Sequence, residues 1–394
     1  MLRFRTLMAS ALIFGSVTAA TAADPVLDGK KLSALVNTVA KSEKPEEVEK
    51  ALAIIVKNSE TVLPDLISLL KDSDEEIRAS TAETIGRLGA DGKKAVDPLI
   101  QLLGDKVVDV RTSAALALGG IGPDSKEAVK PLIQMVRNED AALARRGAIT
   151  ALGQIGPDAK GAVQVLTNAV KGEVNKKKFG IPSRTVAAEA LGLIGPDAKS
   201  AVPALIAAAK EKNEELRAAA LEAFGGIGAG AEESLPILLE ILAKDKAEAM
   251  RAVSAESLGR MQLKAALVVP ALMTALGDSS HEVRAAAIDA LGEFGEEAVR
   301  SVPDIRKLLK DSNADVRSAV ISALSSLAAE TSVTEFTTAL GDKSEAVVKG
   351  AVAALDELGP AAKDALPKLE ALSKTAKGDL KTQLEEAIKA IKGK

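Results

Sequence analysis

The chain has 394 residues, of which 47% are hydrophobic but only 2% aromatic, with 51 basic against 55 acidic side chains and no Cys, Trp or Tyr. The lack of Cys excludes disulfides, thiol catalysis and cysteine-ligated zinc. A net charge of −4 argues against nucleic-acid binding, which depends on clustered Lys and Arg, and the scarcity of aromatic rings argues against sugar platforms and proline-peptide grooves.

Residues 1–23 read as a leader. Arg3 and Arg5 make a basic start, Leu7 to Val17 are mostly apolar, and Ala20, Thr21, Ala22 and Ala23 offer small residues for cleavage. The apolar run falls short of the ~20 residues that a membrane span needs, and no Cys follows to carry a lipid. The expectation is a secretory signal peptide removed after Ala22 or Ala23. The mature protein is then exported, periplasmic or extracellular in a bacterium, with no membrane insertion. Without Arg3 and Arg5 the balance is 49 basic against 55 acidic residues, a net charge of −6.

Residues 24–60 predict a capping helix pair, with Leu32, Leu35, Val36 and Val39 on one helical stripe and Val48, Ala51, Leu52 and Ile55 on the other. Residues 61–361 then repeat one pattern, hydrophobic-Arg-x-x-Ala-x-x-x-Leu-Gly-x-hydrophobic-Gly. Its Arg falls at Arg78, Arg111, Arg145, Arg184, Arg217, Arg251, Arg284 and Arg317, at spacings of 33, 34, 39, 33, 34, 33 and 33. A period in this range means stacked supersecondary units that share one core.

Each unit predicts two helices. In 265–295, Leu272 and Leu276 give the first helix an apolar face, and Gly277, Asp278 and Ser279 break it. Ser280 stands at the N-cap of the second helix, with Glu282 in its first turn. Val283, Ala287, Leu291 and Phe294 form the buried stripe, and Gly295 closes the helix. The cap slot recurs as Asp74, Asn213 and Asn313, and the closing Gly as Gly89, Gly122, Gly156, Gly195 and Gly228. Pro64, Pro98, Pro131, Pro203, Pro236, Pro270, Pro303 and Pro367 mark a kink or restart in the first helix. No segment alternates as a strand does.

The 39-residue spacing contains an insertion at 172–183, where Lys176, Lys177 and Lys178 precede Phe179. Insertions in solenoids emerge as ridge loops, so this run is either a docking loop or a solvated one. The ninth unit of the array is degenerate, with Val348 in the Arg slot and Thr334 in the Pro slot. Residues 362–394 predict a closing helix pair. Such atypical ends cap solenoids, because a bare end exposes apolar surface.

An acidic residue stands six positions before each Arg: Asp72/Arg78, Asp105/Arg111, Glu139/Arg145, Glu211/Arg217, Asp245/Arg251, Asp278/Arg284 and Asp311/Arg317. With Pro in the first helix and Val-Arg opening the second, the unit resembles a HEAT repeat, in particular the short HEAT-like repeat also found in phycobilin lyases. The resemblance covers about 60–361. It implies a ladder in which each acid pairs with an Arg of an adjacent unit, fixing register. Two units depart from the pattern, with Lys178 opposite Arg184 and Val348 opposite Asp342. It also implies an all-α, right-handed α-solenoid of about eleven stacked antiparallel helix pairs, whose second helices line the concave surface.

Little chemistry is available for an enzyme. His281 is the single histidine, beside Glu282 at a helix start, so no Ser-His-Asp set or transition-metal cluster can form, and no cofactor is expected. One surface feature stands out. Five residues after the Arg, Glu189, Glu222, Glu256 and Asp289 recur in four consecutive units, on the side away from the apolar stripe; Glu83 repeats the feature outside the row. Good solvent-facing helix residues account for such a row equally well. The sequence thus points to an exported, monomeric, non-enzymatic scaffold that binds a protein partner on its concave face. The alternatives are a tetrapyrrole (bilin) lyase or its accessory subunit, by family analogy, and a structural spacer of the cell envelope.

Overall fold

The computed structural model describes residues 29–42, 44–174 and 177–393. The expected leader, and residues 24–28 of the first cap, lie outside the described residues. Helix pairs succeed one another from Gly29–Lys41 with Pro45–Lys57 to Leu366–Ser373 with Gly378–Ile391, eleven in all among the described residues. One apolar core runs unbroken from Leu32 to Ile391, built of Ala, Leu, Val and Ile with Phe224, Phe294 and Phe336 buried in it. No helix among the described residues is long and apolar enough to cross a membrane.

The stripe read from residues 265–295 is the buried one: Val283, Ala287, Leu291 and Phe294 all lie in the core. The second helices end on left-handed glycines, such as Gly122 at φ 77° and Gly195 at φ 80°, a backbone that side chains with a Cβ resist. Gln262 takes the same slot with φ 48°, which the sequence pattern did not reveal.

After each closing Gly the chain makes a seven-residue 3-10 turn, for example Gly195–Ala201, before the α-helix Val202–Ala208 starts. The expected restart is therefore this change of helix type. Pro203 sits in the first turn of the α-helix, where its missing N–H is not needed. By contrast, Pro64 and Pro270 lie inside the continuous helices Ser59–Leu69 and Ala265–Ala275.

The caps divide. Asp74, Asn213 and Asn313 accept backbone N–H groups of their first turns. Ser280 occupies the N-cap position, but its hydroxyl meets the Glu282 carboxylate and caps no amide.

Stacking is carried by the second helices, which lie directly against one another from Glu75–Arg87 to Gly378–Ile391. The glycine of the Leu-Gly pair makes this possible. A Cβ on Gly86, Gly153 or Gly259 would stand 2.7, 2.8 or 2.8 Å from the Cα of Ala117, Ala190 or Ala290 in the next unit. First helices meet their neighbours largely through the 3-10 turns. Contact between units is thus closer along the second helices than along the first.

The N-terminal pair is reversed relative to the rest. Its first helix, Gly29–Lys41, packs on Glu75–Arg87 in the place of a preceding second helix. Lys41 then reaches Asp74 at 2.9 Å.

Candidate functional site

The ladder forms, with its direction set by the stack. Seven of the eight arginines reach forward to the acid of the next unit: Arg78 to Asp105, Arg111 to Glu139, Arg184 to Glu211, Arg217 to Asp245, Arg251 to Asp278, Arg284 to Asp311 and Arg317 to Asp342. In Arg284, Nε and Nη2 grip the Asp311 carboxylate at 2.8 and 2.9 Å, while Nη1 donates to the carbonyls of Asp278 and Ser279 in its own unit. Asp311 also accepts the Asn313 amide at the start of the following helix. One rung thus ties together the turns of two units and a helix start, by charge-assisted bonds with fixed geometry. Its neighbours hold Asp105, Asp278, Asp311 and Asp342 below the usual carboxylate range; for Asp278, Asp311 and Asp342 the Arg hydrogen bond is the largest cause.

Two expectations about the ladder need correction. Asp342 does not lose its partner to Val348, because its Arg is Arg317 of the preceding unit. The break comes instead at Arg145. Asp72 heads the ladder with no Arg before it, and its carboxylate accepts the Asp74 amide.

Glu189, Glu222, Glu256 and Asp289 are exposed on the helices Ile181–Ile194, Glu214–Ile227, Glu248–Met261 and His281–Glu293. Desolvation is nevertheless the largest cause of the raised pKa of Glu189 and of Glu222. Asp289 is pushed up to about 6, by desolvation first and then by the charges of Glu293 and Glu256. These side chains meet water yet are partly desolvated by the protein around them. Each carboxylate also feels the next: Glu222 acts on Glu189, and Glu256 on both Glu222 and Asp289.

Sequence reasoning missed three residues of this surface, all nine positions after the Arg and so one helical turn beyond the row. Arg260 pairs with Glu256 at 3.5 Å and lowers the pKa of Glu222 and Glu293 against desolvation. Glu293 adds a fifth acid. Leu193 is 59% exposed, the largest value among the large apolar side chains. Extending the period-3.6 reading by one turn would have found them. Glu83 stands apart, half-buried, with a pKa raised by desolvation and an ion pair to Arg87.

Family sequence comparison supports the architecture. A profile of HEAT repeats matches residues 32–119, 96–177, 182–259, 243–325, 269–349 and 302–389. The chain belongs to the HEAT-repeat family. Among solved structures it is similar to the karyopherin Kap121p, at 15% identity and a TM-score of 0.50 over 93% of this chain and 46% of that one. Importin beta is also similar, at 15% identity and a TM-score of 0.48 over 91% of this chain and 55% of that one. This HEAT-repeat chain therefore spans about half the length of those solenoids, and at such identity the Kap121p likeness concerns the fold alone. No curated protein matches the sequence.

The insertion of this HEAT array is not an open loop. Helix Val163–Lys171 ends at Gly172 with φ 97°, and Glu173–Val174 pair antiparallel with Lys177–Lys178 in a two-residue ladder. Lys176 lies outside the described residues. Phe179 is only 5% exposed, tucked against Arg145, so it is not presented for docking as the sequence suggested.

Proposed function

We propose that this protein is an exported, non-enzymatic HEAT-repeat scaffold that holds a protein partner on its concave surface. The observation that carries this reading is the row Glu189, Glu222, Glu256 and Asp289, set one repeat apart on second helices packed side by side, with Arg260 the one cation found against it among the described residues. Uncompensated carboxylates in a row favour a cationic occupant and steer its approach. Repeat-to-repeat separations of roughly 10 Å are comparable to the Debye length at 0.1 M salt, so the row acts as a continuous field. They also place the acids too far apart to share one calcium, whose oxygens lie within about 2.6 Å. Export rests on the leader at 1–23, and kinship to the short repeats of phycobilin lyases on the acid six residues before each Arg.

The experiment is capture from a cell-envelope extract with the mature protein, beside a variant carrying Glu189→Gln, Glu222→Gln, Glu256→Gln and Asp289→Asn. The wild type should retain a basic protein, and association should weaken steeply with salt and slow in the variant. Retention of the same partner at an unchanged, salt-independent rate by the variant would remove the row from the interface. Retention of nothing by either form would favour a structural spacer.

A further inference from the structure

Among the described residues, seven arginines of the ladder find a carboxylate in the next unit, and Arg145 does not. Its Nη1 nevertheless makes the usual anchoring bonds, to the carbonyls of Glu139 at 2.9 Å and Asp140 at 3.1 Å. In Arg78, Arg111, Arg251, Arg284 and Arg317 the same two bonds orient the Nε–Nη2 edge toward the following unit, where an acid is waiting. Beyond Arg145 the corresponding first helix ends at Gly172, which has no side chain to offer. Nε is left buried without a partner, in a residue only 8% exposed. The Phe179 ring, centred 5.0 Å from the guanidinium carbon, covers the cation's face but satisfies no N–H on its edge.

We propose that Arg145 is a binding site for a carboxylate supplied from outside the chain, which completes the broken rung. An unmade hydrogen bond on a buried charged donor is costly, so a group that makes it gains what the donor lost on burial. The anchored Nη1 holds the fork in place before the ligand arrives, so little ordering is required on binding. The fork matches two coplanar oxygens of a carboxylate, as the other rungs demonstrate. The carboxylate comes either from an acidic side chain of a polypeptide or from a free small acid. The site lies at the turn between helices, on a unit that contributes no acid to the acidic row, and stands or falls independently of it.

The test uses the whole mature protein with 15N-labelled arginine, following the Nε–Hε signals. The Arg145 signal is assigned as the one lost in Arg145→Lys. Succinate and a hexaglutamate peptide should each move it saturably while the signals of the paired arginines stay in place. Tighter binding of the peptide assigns the site to a polypeptide; equal binding per carboxylate assigns it to a free acid. Phe179→Glu brings an acid to the same place within the chain. It should melt at a higher temperature than Phe179→Gln and abolish the succinate response. No movement with either ligand, an equal response to inorganic phosphate, or equal melting of the two Phe179 variants would overturn the proposal.

Discussion

The glycines eight residues after Arg251 and Arg284 give a matched pair of substitutions for which the structure demands opposite signs. A Cβ on Gly259 would lie 2.8 Å from both the Cα and the Cβ of Ala290, inside the contact distance that real side chains reach. The same atom on Gly292 would lie 3.5 Å from the Ala323 Cα, an ordinary contact. Replacing Gly by Ala within a helix is worth up to about 1 kcal/mol in propensity at both sites. At Gly259 the two helices must separate, and overpacking of this kind costs about 1–3 kcal/mol. Gly259→Ala should therefore destabilise by about 1 kcal/mol net, and Gly292→Ala should stabilise by a little less than that. Denaturant unfolding of both variants, with hydrogen exchange across Glu248–Met261 and His281–Glu293 to localise the effect, measures it. Stabilisation by both variants would show that the second helices are not in the close contact at Gly259 and Ala290.

Arg284→Met should strand the Asp311 carboxylate, whose side chain is 7% exposed. The loss lies between ~0.5 kcal/mol for an exposed pair and ~3–5 kcal/mol for a fully buried one, so about 2 kcal/mol is expected, and adding Asp311→Leu should restore much of it. Because Arg284 depresses the folded pKa of Asp311, this contribution is present above the unfolded carboxylate value. The deficit of Arg284→Met in thermal melts should therefore narrow as pH falls below about 4. Asp289 behaves in the opposite sense, since its folded pKa of about 6 lies above the unfolded value. It favours the folded state below about pH 4 and loses that advantage as pH rises through 6. Asp289→Asn should thus stabilise at pH 7 by on the order of 1 kcal/mol, discounted for solvent screening, and leave stability unchanged at pH 4. A variant no more stable at pH 7 than the wild type would show that the surrounding protein does not desolvate this acid.

Much of the candidate site was legible because helical periodicity assigns faces. The stripe Val283, Ala287, Leu291 and Phe294 had to be buried, and Glu189, Glu222, Glu256 and Asp289 had to face away from it. The acid six residues before each Arg was equally visible, since short-range spacing fixes where a side chain stands on its own unit. What spacing does not carry is the partner across the stack. Asp342 looked orphaned beside Val348 until the stack showed Arg317 reaching forward to it. Lys178 looked like the substituted acid, whereas the hairpin brings Gly172 to the end of the helix and Phe179 under Arg145.

By itself, then, the sequence determined the helix pairs, their period, the closing glycines and the identity of the inward stripe. These follow from local sterics and from the 3.6-residue turn, which act within a single unit. Tertiary structure decided the contacts across units: the forward direction of the ladder, the helix approach that the Leu-Gly glycines permit, the desolvation of Asp289 and the unpaired Nε of Arg145. Each of these depends on the rotation and translation from one unit to the next. That geometry is set by packing many side chains at once, and no single spacing in the chain encodes it.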